Sequence, residues 1–229
     1  MSLILLWYFR DENITIRIFL VEKHMISREL IIEKASELFV QNGVKSITID
    51  RIVKELRTSK RTMYQHFEDK TDLLKACLAV YHAKVKTENE AIINRSENVI
   101  EAMGRLHQRI VQRSHSVNPS FFGDILHYYP GLLNQSYRDT GNFAHQELID
   151  LANWGIEDGI FHPDIDVEVA GKTVLVMLKL LKDNRQFPVS EYSKERLNFG
   201  ILVPYLRGLC TPKGLELLKM QEELFRVSI

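Results

Sequence analysis

The sequence predicts an all-α protein, with a three-helix N-terminal unit ahead of a longer helical domain. Three observations lead there. Apolar residues recur at i, i+3, i+4 and i+7 along most of the chain. Capping residues stand just before these runs, and Gly or Pro punctuates their ends. No stretch alternates apolar and polar residues between turn signals over a strand's length, except Asn13 to Val21.

Ser27 is placed to cap a first helix whose apolar face is Ile31, Ala35, Leu38 and Phe39, with Gly43 as its left-handed stop. Thr48 caps a second, striped by Ile49, Ile52, Val53 and Leu56. Ser59 caps a third, where Met63 and Phe67 stand one turn apart and face inward. These stripes can bury one small shared core. Thr71 or Asp72 is expected to open a connector helix through Leu73, Leu74, Cys77, Leu78 and Tyr81, fading near Asn94. Further helices follow over Val99 to Ser114, from Asn118-Pro119 as cap and first position, and from Pro130 toward Trp154. Gly155 and Gly159 bound a turn. Val167 to Leu181 is strongly apolar, Ser190 or Ser193 opens a helix through Leu209, and Thr211-Pro212 starts a last short one. The domains expected are an arm over 1–24, a helix-turn-helix unit over 25–72, and a ligand-binding and dimerisation domain over 73–229.

With 229 residues, 45% of them hydrophobic and 26% charged, the chain can bury a sizeable core as a soluble globular protein. The formal net charge of zero gives no whole-molecule sign of a nucleic-acid partner. The distribution does. Between Lys45 and Arg61, six basic residues face only Asp50 and Glu55, a local excess suited to phosphate attraction. Cys77 and Cys210 lack metal-type spacing and read as buried thiols of a reducing cytoplasm. The apolar Met1 to Phe9 run is too short to span a bilayer and lacks the flanks of a signal peptide, so a cytoplasmic protein is expected.

The most informative stretch is Ser46 to Phe67. It reads as two short helices joined by a tight turn, the second studded with Lys60, Arg61, Thr62, Tyr64, Gln65 and His66. A short polar helix braced by another is how side chains enter the major groove of DNA. Lys60 and Arg61, at the start of that helix, are candidates for base edges, where Arg can bind guanine at two atoms. Thr62 suits a thymine methyl or a phosphate, and Gln65 suits adenine.

The run Ser59-Lys60-Arg61-Thr62-Met63-Tyr64-Gln65-His66-Phe67, followed by Asp69-Lys70-Thr71-Asp72-Leu73, resembles the DNA-binding domain of TetR/AcrR-type transcriptional regulators. The match covers about 50 residues, roughly 25 to 80. The resemblance implies an all-helical protein whose first three helices read DNA and whose remainder binds a ligand and dimerises. It also implies phosphate contacts from Thr48, Tyr64, His66 and Lys70, with Lys45 adding charge beside them. Two positions depart from the pattern. Arg57 stands where many members carry Gly at the turn, and Arg61 stands where the residue is often small. A left-handed backbone at Arg57 costs roughly 1 kcal/mol, so either the turn is shaped differently or that cost is tolerated.

The remaining chemistry is sparse. His107, His115, His127, His145 and His162 make no i, i+3 or i, i+4 pair, so no metal site and no cofactor is expected. No phosphate-cradling Gly loop and no Gly-x-Ser-x-Gly occurs, and the chain is not read as an enzyme. By resemblance, Met103, His107, Phe121, Phe122, Tyr129, Trp154 and Met177 surround an apolar small-molecule effector cavity, with His107 and Tyr129 as polar anchors. A single reading helix contacts few bases, so a homodimer on a palindromic operator is expected, joined through the helices near 167–181 and 193–209. The function read from these features is a ligand-responsive repressor. The alternative is a helical small-molecule-binding protein of the same fold without operator binding.

Overall fold

Ser27 accepts a hydrogen bond from Leu30 N at 3.2 Å and opens α1 (Arg28–Asn42). The computed structural model describes residues 26–181, 186–188 and 190–226, so the arm over 1–24 and the alternation at Asn13 to Val21 lie outside the described residues. After α1 come α2 (Ile49–Glu55), α3 (Lys60–His66), α4 (Lys70–Ile93), α5 (Val99–Ser116), α6 (Ser120–Tyr128), α7 (Pro130–Glu157) and α8 (Val167–Leu180). The chain ends in α9 (Lys194–Leu197), a π-helical turn (Asn198–Leu202), α10 (Val203–Leu209), α11 (Pro212–Met220) and a 3-10 turn (Glu222–Phe225). Among the described residues there is no strand, only an isolated antiparallel bridge between Phe161 and Cys210. The fold is all-α, as the periodicity implies.

The expected caps act where they stand. Thr48 accepts from Arg51 N at 3.2 Å, and Ser59 from Thr62 N at 3.1 Å. The connector starts earlier than its apolar stripe suggests. Asp69 holds extended backbone and accepts from Asp72 N at 2.8 Å, while the Asp72 carboxylate reaches back to Glu68 N at 3.2 Å. This reciprocal cap satisfies orphan donors from both sides and places the helix start at Lys70 rather than Thr71 or Asp72. Asn98 and Glu101 repeat the device at α5, through Glu101 N to Asn98 Oδ1 at 3.0 Å and Glu97 N to Glu101 Oε2 at 2.7 Å.

The helix through Leu209 is expected to be regular and is not. Val203 N donates to Asn198 O, five residues back. Pro204 has no N–H for the carbonyl four residues earlier, and its ring crowds that turn, so the helix widens ahead of it.

Two cores organise the molecule. The lower one gathers Phe39, Ile52, Met63, Phe67 and Leu74 with Phe121 and Ile125 of α6. The upper one joins Ile100, Leu106, Leu151, Phe161, Leu206 and Phe225. Gly155 lies so close beneath the Phe161 ring that a Cβ has no room. The turn after α7 is thereby pressed onto the end of α10, where His162 N donates to Leu209 O at 3.0 Å.

Candidate nucleic-acid interface and effector cavity

Met63 is fully buried and Phe67 is 2% exposed. Burial of two such side chains contributes about 1.5–3 kcal/mol each, which fixes how α3 rolls on the lower core. The opposite face must then point outward. Lys60, Arg61, Tyr64 and Gln65 are exposed, and Thr62 and His66 are half-buried. Thr62 Oγ1 lies 2.9 Å from Ser59 Oγ, so its hydroxyl is shared with the cap.

The turn before α3 has the shape that a glycine would give it. Arg57 holds φ 50°, in the left-handed region, and its N–H donates to Lys54 O at 3.1 Å. Thr58 N donates to Val53 O at 3.0 Å. The backbone therefore accepts the left-handed cost at a non-glycine residue rather than finding another turn.

Not every candidate cation is loose. Lys60 Nζ lies 2.6 Å from Asp50 Oδ1, and this bond raises the lysine's pKa. Lys45 sets its ammonium 4.9 Å from the Tyr128 ring centroid, and its own N–H donates to Asp124 Oδ2 at 2.7 Å. Lys70 is turned inward. Its Nζ donates to Val44 O at 2.6 Å and lies 5.8 Å from the Phe39 ring centroid, and burial lowers its pKa. A phosphate contact from Lys70 requires that bond to open. Arg61, Tyr64, Gln65 and the Thr48 hydroxyl face solvent without such a change of partner.

The end of α1 is latched to the segment that opens α6, and the loop after α1 to α6 itself through Lys45 N and Asp124. Asn118 N donates to Val40 O at 2.8 Å, and Asn118 Nδ2 donates to Gln41 O at 3.1 Å. Gly43 holds φ 80°, and a Cβ there would sit 2.9 Å from Asp124 Oδ2. Glycine is needed twice over at this position, for its backbone conformation and for the close approach.

A cavity of about 210 Å3 lies between α4, α5, α7 and α8, closed by the π-helical turn, α10 and Phe225. Of the effector-cavity candidates, Met103 and His107 line it. Phe121, Phe122 and Tyr129 do not. Phe121 and Tyr129 belong to the lower core, and Phe122 is 49% exposed beside Phe121. The latch holds α6 against α1, which turns Phe121 into the lower core. Trp154 packs in the upper core and Met177 stands half-buried on α8, neither at the cavity wall.

The cavity has a polar wall that local sequence patterns do not reveal. Asn89 Nδ2 donates to both carboxylate oxygens of Glu147, at 3.1 and 3.0 Å, across 58 residues of sequence. Arg113 Nη2 donates to Asn89 Oδ1 at 3.3 Å and to Glu88 Oε2 at 2.9 Å. Burial raises the Glu147 pKa against the Asn89 hydrogen bond. Among the described residues no group of three or more His, Cys, Asp or Glu is placed to hold a metal ion. No helix among them is long and apolar enough to cross a membrane. Burial pushes the Cys77 and Cys210 thiols up to about 11, as suits inert core residues.

Residues 31–77 match the family model of bacterial regulatory proteins, tetR family. An HTH-type transcriptional regulator of Staphylococcus aureus (strain USA300) is 47% identical over 47 residues, which is 20% of this chain and 25% of that protein. The HTH-type transcriptional repressor KstR2 of Mycobacterium tuberculosis is 22% identical over 142 residues, 61% of this chain and 71% of the repressor. Among solved structures, a tetR-family transcriptional regulator from Cytophaga hutchinsonii superposes with a TM-score of 0.67 at 15% identity, covering 81% of this chain and 96% of that one. At that identity the likeness speaks for the fold alone. The strong sequence match coincides with the helices that carry the exposed cationic face.

Proposed function

We propose that the chain is a TetR-family transcriptional regulator, a DNA-binding protein rather than an enzyme, that binds a palindromic operator as a homodimer and is released by a small-molecule effector. The observation that carries this reading is the outward face of α3, standing on the buried Met63 and Phe67. Arg61, Gln65, Lys60 and Thr62 read base edges, the lysine exchanging Asp50 for DNA. Thr48, Tyr64, His66 and Lys45 hold phosphates and set the register without reading sequence. Lys70 joins them when it leaves Val44.

Two copies related by a twofold axis place their α3 helices about 34–36 Å apart, or a multiple of that. Support for the dimer comes from α8, where Val169, Val176 and Leu180 are 58%, 63% and 36% exposed. Their spacing of seven and four residues forms one stripe, a costly surface to leave in water. This helix pairs with the segment over 193–209 to form a four-helix contact across the axis.

Support for effector control comes from α4, which begins beside the reading unit at Lys70 and passes the cavity at Asn89. A ligand that favours one arrangement of α4 and α5 shifts the spacing of the two reading helices. Repression is the simplest sense, with the ligand-free form on DNA.

Fluorescence anisotropy on an inverted repeat flanking the coding region tests the reading. Arg61→Ala is expected to cost about 1–3 kcal/mol on the operator and to relax specificity at one position. Lys45→Ala is expected to weaken binding to all sequences and to shallow the salt dependence by about one unit of log–log slope. Operator affinity unchanged in both variants would remove the assignment of this face to DNA.

A further inference from the structure

We propose that the cavity between α4, α5, α7 and α8 receives an uncharged, largely apolar molecule that turns one hydroxyl toward His107, a statement that rests on the effector reading above and specifies its ligand. His107 is 6% exposed, and neither ring nitrogen has a hydrogen-bond partner. Buried polar atoms are ordinarily satisfied, so a side chain with both nitrogens bare on a cavity wall marks a place for a ligand atom. The ring stacks on Phe225, with centroids 6.3 Å apart and planes 23° from parallel, which holds its orientation. Burial brings its pKa down to about 4, so the imidazole is neutral at physiological pH and offers one donor and one acceptor. A hydroxyl can accept from the one or donate to the other, and so fits either tautomer. A ketone or ether can only accept.

The charge state follows from the other walls. Most of the lining is aliphatic, from residues such as Leu106, Val174 and Leu206. The charged groups in it are Arg113 and Glu147, and both are already engaged. Arg113 is bonded to Glu88 and Asn89, and Glu147 holds the Asn89 amide through both oxygens. An incoming carboxylate finds no free cation, and an incoming ammonium finds only Glu147, which is held by the Asn89 amide and already lies in the field of Arg113; an unpaired buried ion is strongly disfavoured. An uncharged molecule with one small polar group is what these walls accept.

Calorimetric titration of the full chain, without DNA, with 1-octanol, octanoate and octylammonium tests this. Octanol is expected to bind one molecule per chain, at least about tenfold tighter than either ion, and to shift the imidazole 15N resonances of His107. His107→Leu is expected to weaken octanol binding by about tenfold, the loss of one hydrogen bond, and His107→Gln to restore most of it. The 15N shifts in the unaltered protein keep the test valid if a variant fails to fold. Tighter binding of octanoate or octylammonium, octanol bound with the His107 nitrogens unmoved, or no binding of all three would overturn the proposal. Octanol bound at His107 with operator affinity unchanged would uphold the ligand class and count instead against effector control of DNA binding.

Discussion

Glu88 and Arg113 meet across the packing of α4 on α5, with Arg113 Nη2 2.9 Å from Glu88 Oε2. The same oxygen accepts from Arg109 Nη2 at 2.8 Å and Nε at 3.1 Å. Because Arg113 also reaches Asn89, and Asn89 reaches Glu147, one chain of polar contacts ties α4, α5 and α7 beside the cavity. Burial disfavours the Glu88 charge, but the two guanidinium groups more than offset it and hold its pKa below the usual carboxylate value.

Glu88→Gln removes the charge and keeps the size. Two partly buried guanidinium groups lose their shared anion, and the expected cost is about 2 kcal/mol in urea unfolding. Arg113→Ala is expected to lower stability as well, and additionally to free Asn89. A double-mutant cycle checks the coupling. Strict additivity of the two changes would mean that the pair contributes nothing to the α4–α5 packing.

His107 carries a pH prediction of definite sign. Its folded pKa of about 4 lies below the ordinary value of about 6.5. Between these values the unfolded chain binds a proton that the folded protein does not. Stability therefore falls as pH drops from about 6.5 to about 4, by about 3 kcal/mol, and this contribution is flat above and below that window. His107→Leu is expected to remove this part of the pH dependence. Chemical denaturation at a series of pH values measures it, and an unchanged slope in the variant would assign the acid sensitivity to other groups.

Gly43→Ala forces a Cβ toward Asp124 at a φ of 80°. Backbone strain and displacement of the carboxylate are expected to lower stability by about 1–3 kcal/mol and to loosen α6 from the first helices. Gly159→Ala is the control. It also sits at positive φ, 65°, but nothing lies within 4 Å of its Cβ position, so only the backbone cost should appear. Equal thermal shifts for the two variants would mean that the Asp124 contact carries no weight.

Arg57→Gly is expected to stabilise the protein, by up to about 1 kcal/mol, because glycine adopts the left-handed region without the Cβ clash. Glycine's greater freedom in the unfolded chain offsets part of the gain. A rise in the thermal midpoint with far-UV helicity unchanged is the expected result. A fall would show that the Arg57 side chain stabilises more than its backbone conformation costs.

Much of this molecule was legible in its residues. Ser27, Thr48 and Ser59 cap because a hydroxyl in extended backbone meets an orphan N–H three residues on, and that relation is local. Met63 and Phe67 face inward because one helical turn separates them, which fixes Lys60, Arg61, Tyr64 and Gln65 on the outer side. At position 57 the motif leaves two outcomes, a left-handed residue or a differently shaped turn, and the backbone there is left-handed. The Asp69 cap is equally local, but it lies ahead of the apolar stripe that begins at Leu73.

Other features came only with the tertiary structure. Phe121 and Tyr129 have the composition of a ligand-pocket wall, yet α6 packs on α1 and buries them in the lower core. No periodicity states which neighbour an apolar face will choose. The polar wall of the cavity joins Asn89 to Glu147 over 58 residues of sequence, and the same holds for Lys70 on Val44 O across 26. The sequence by itself determined helix positions, inward faces and the chemistry of the reading helix, since these depend on contacts within a turn or two. Packing of whole helices decided which cations are tied down, which aromatics reach the cavity and which histidine is left with bare nitrogens, because those outcomes depend on groups that only the folded chain brings together.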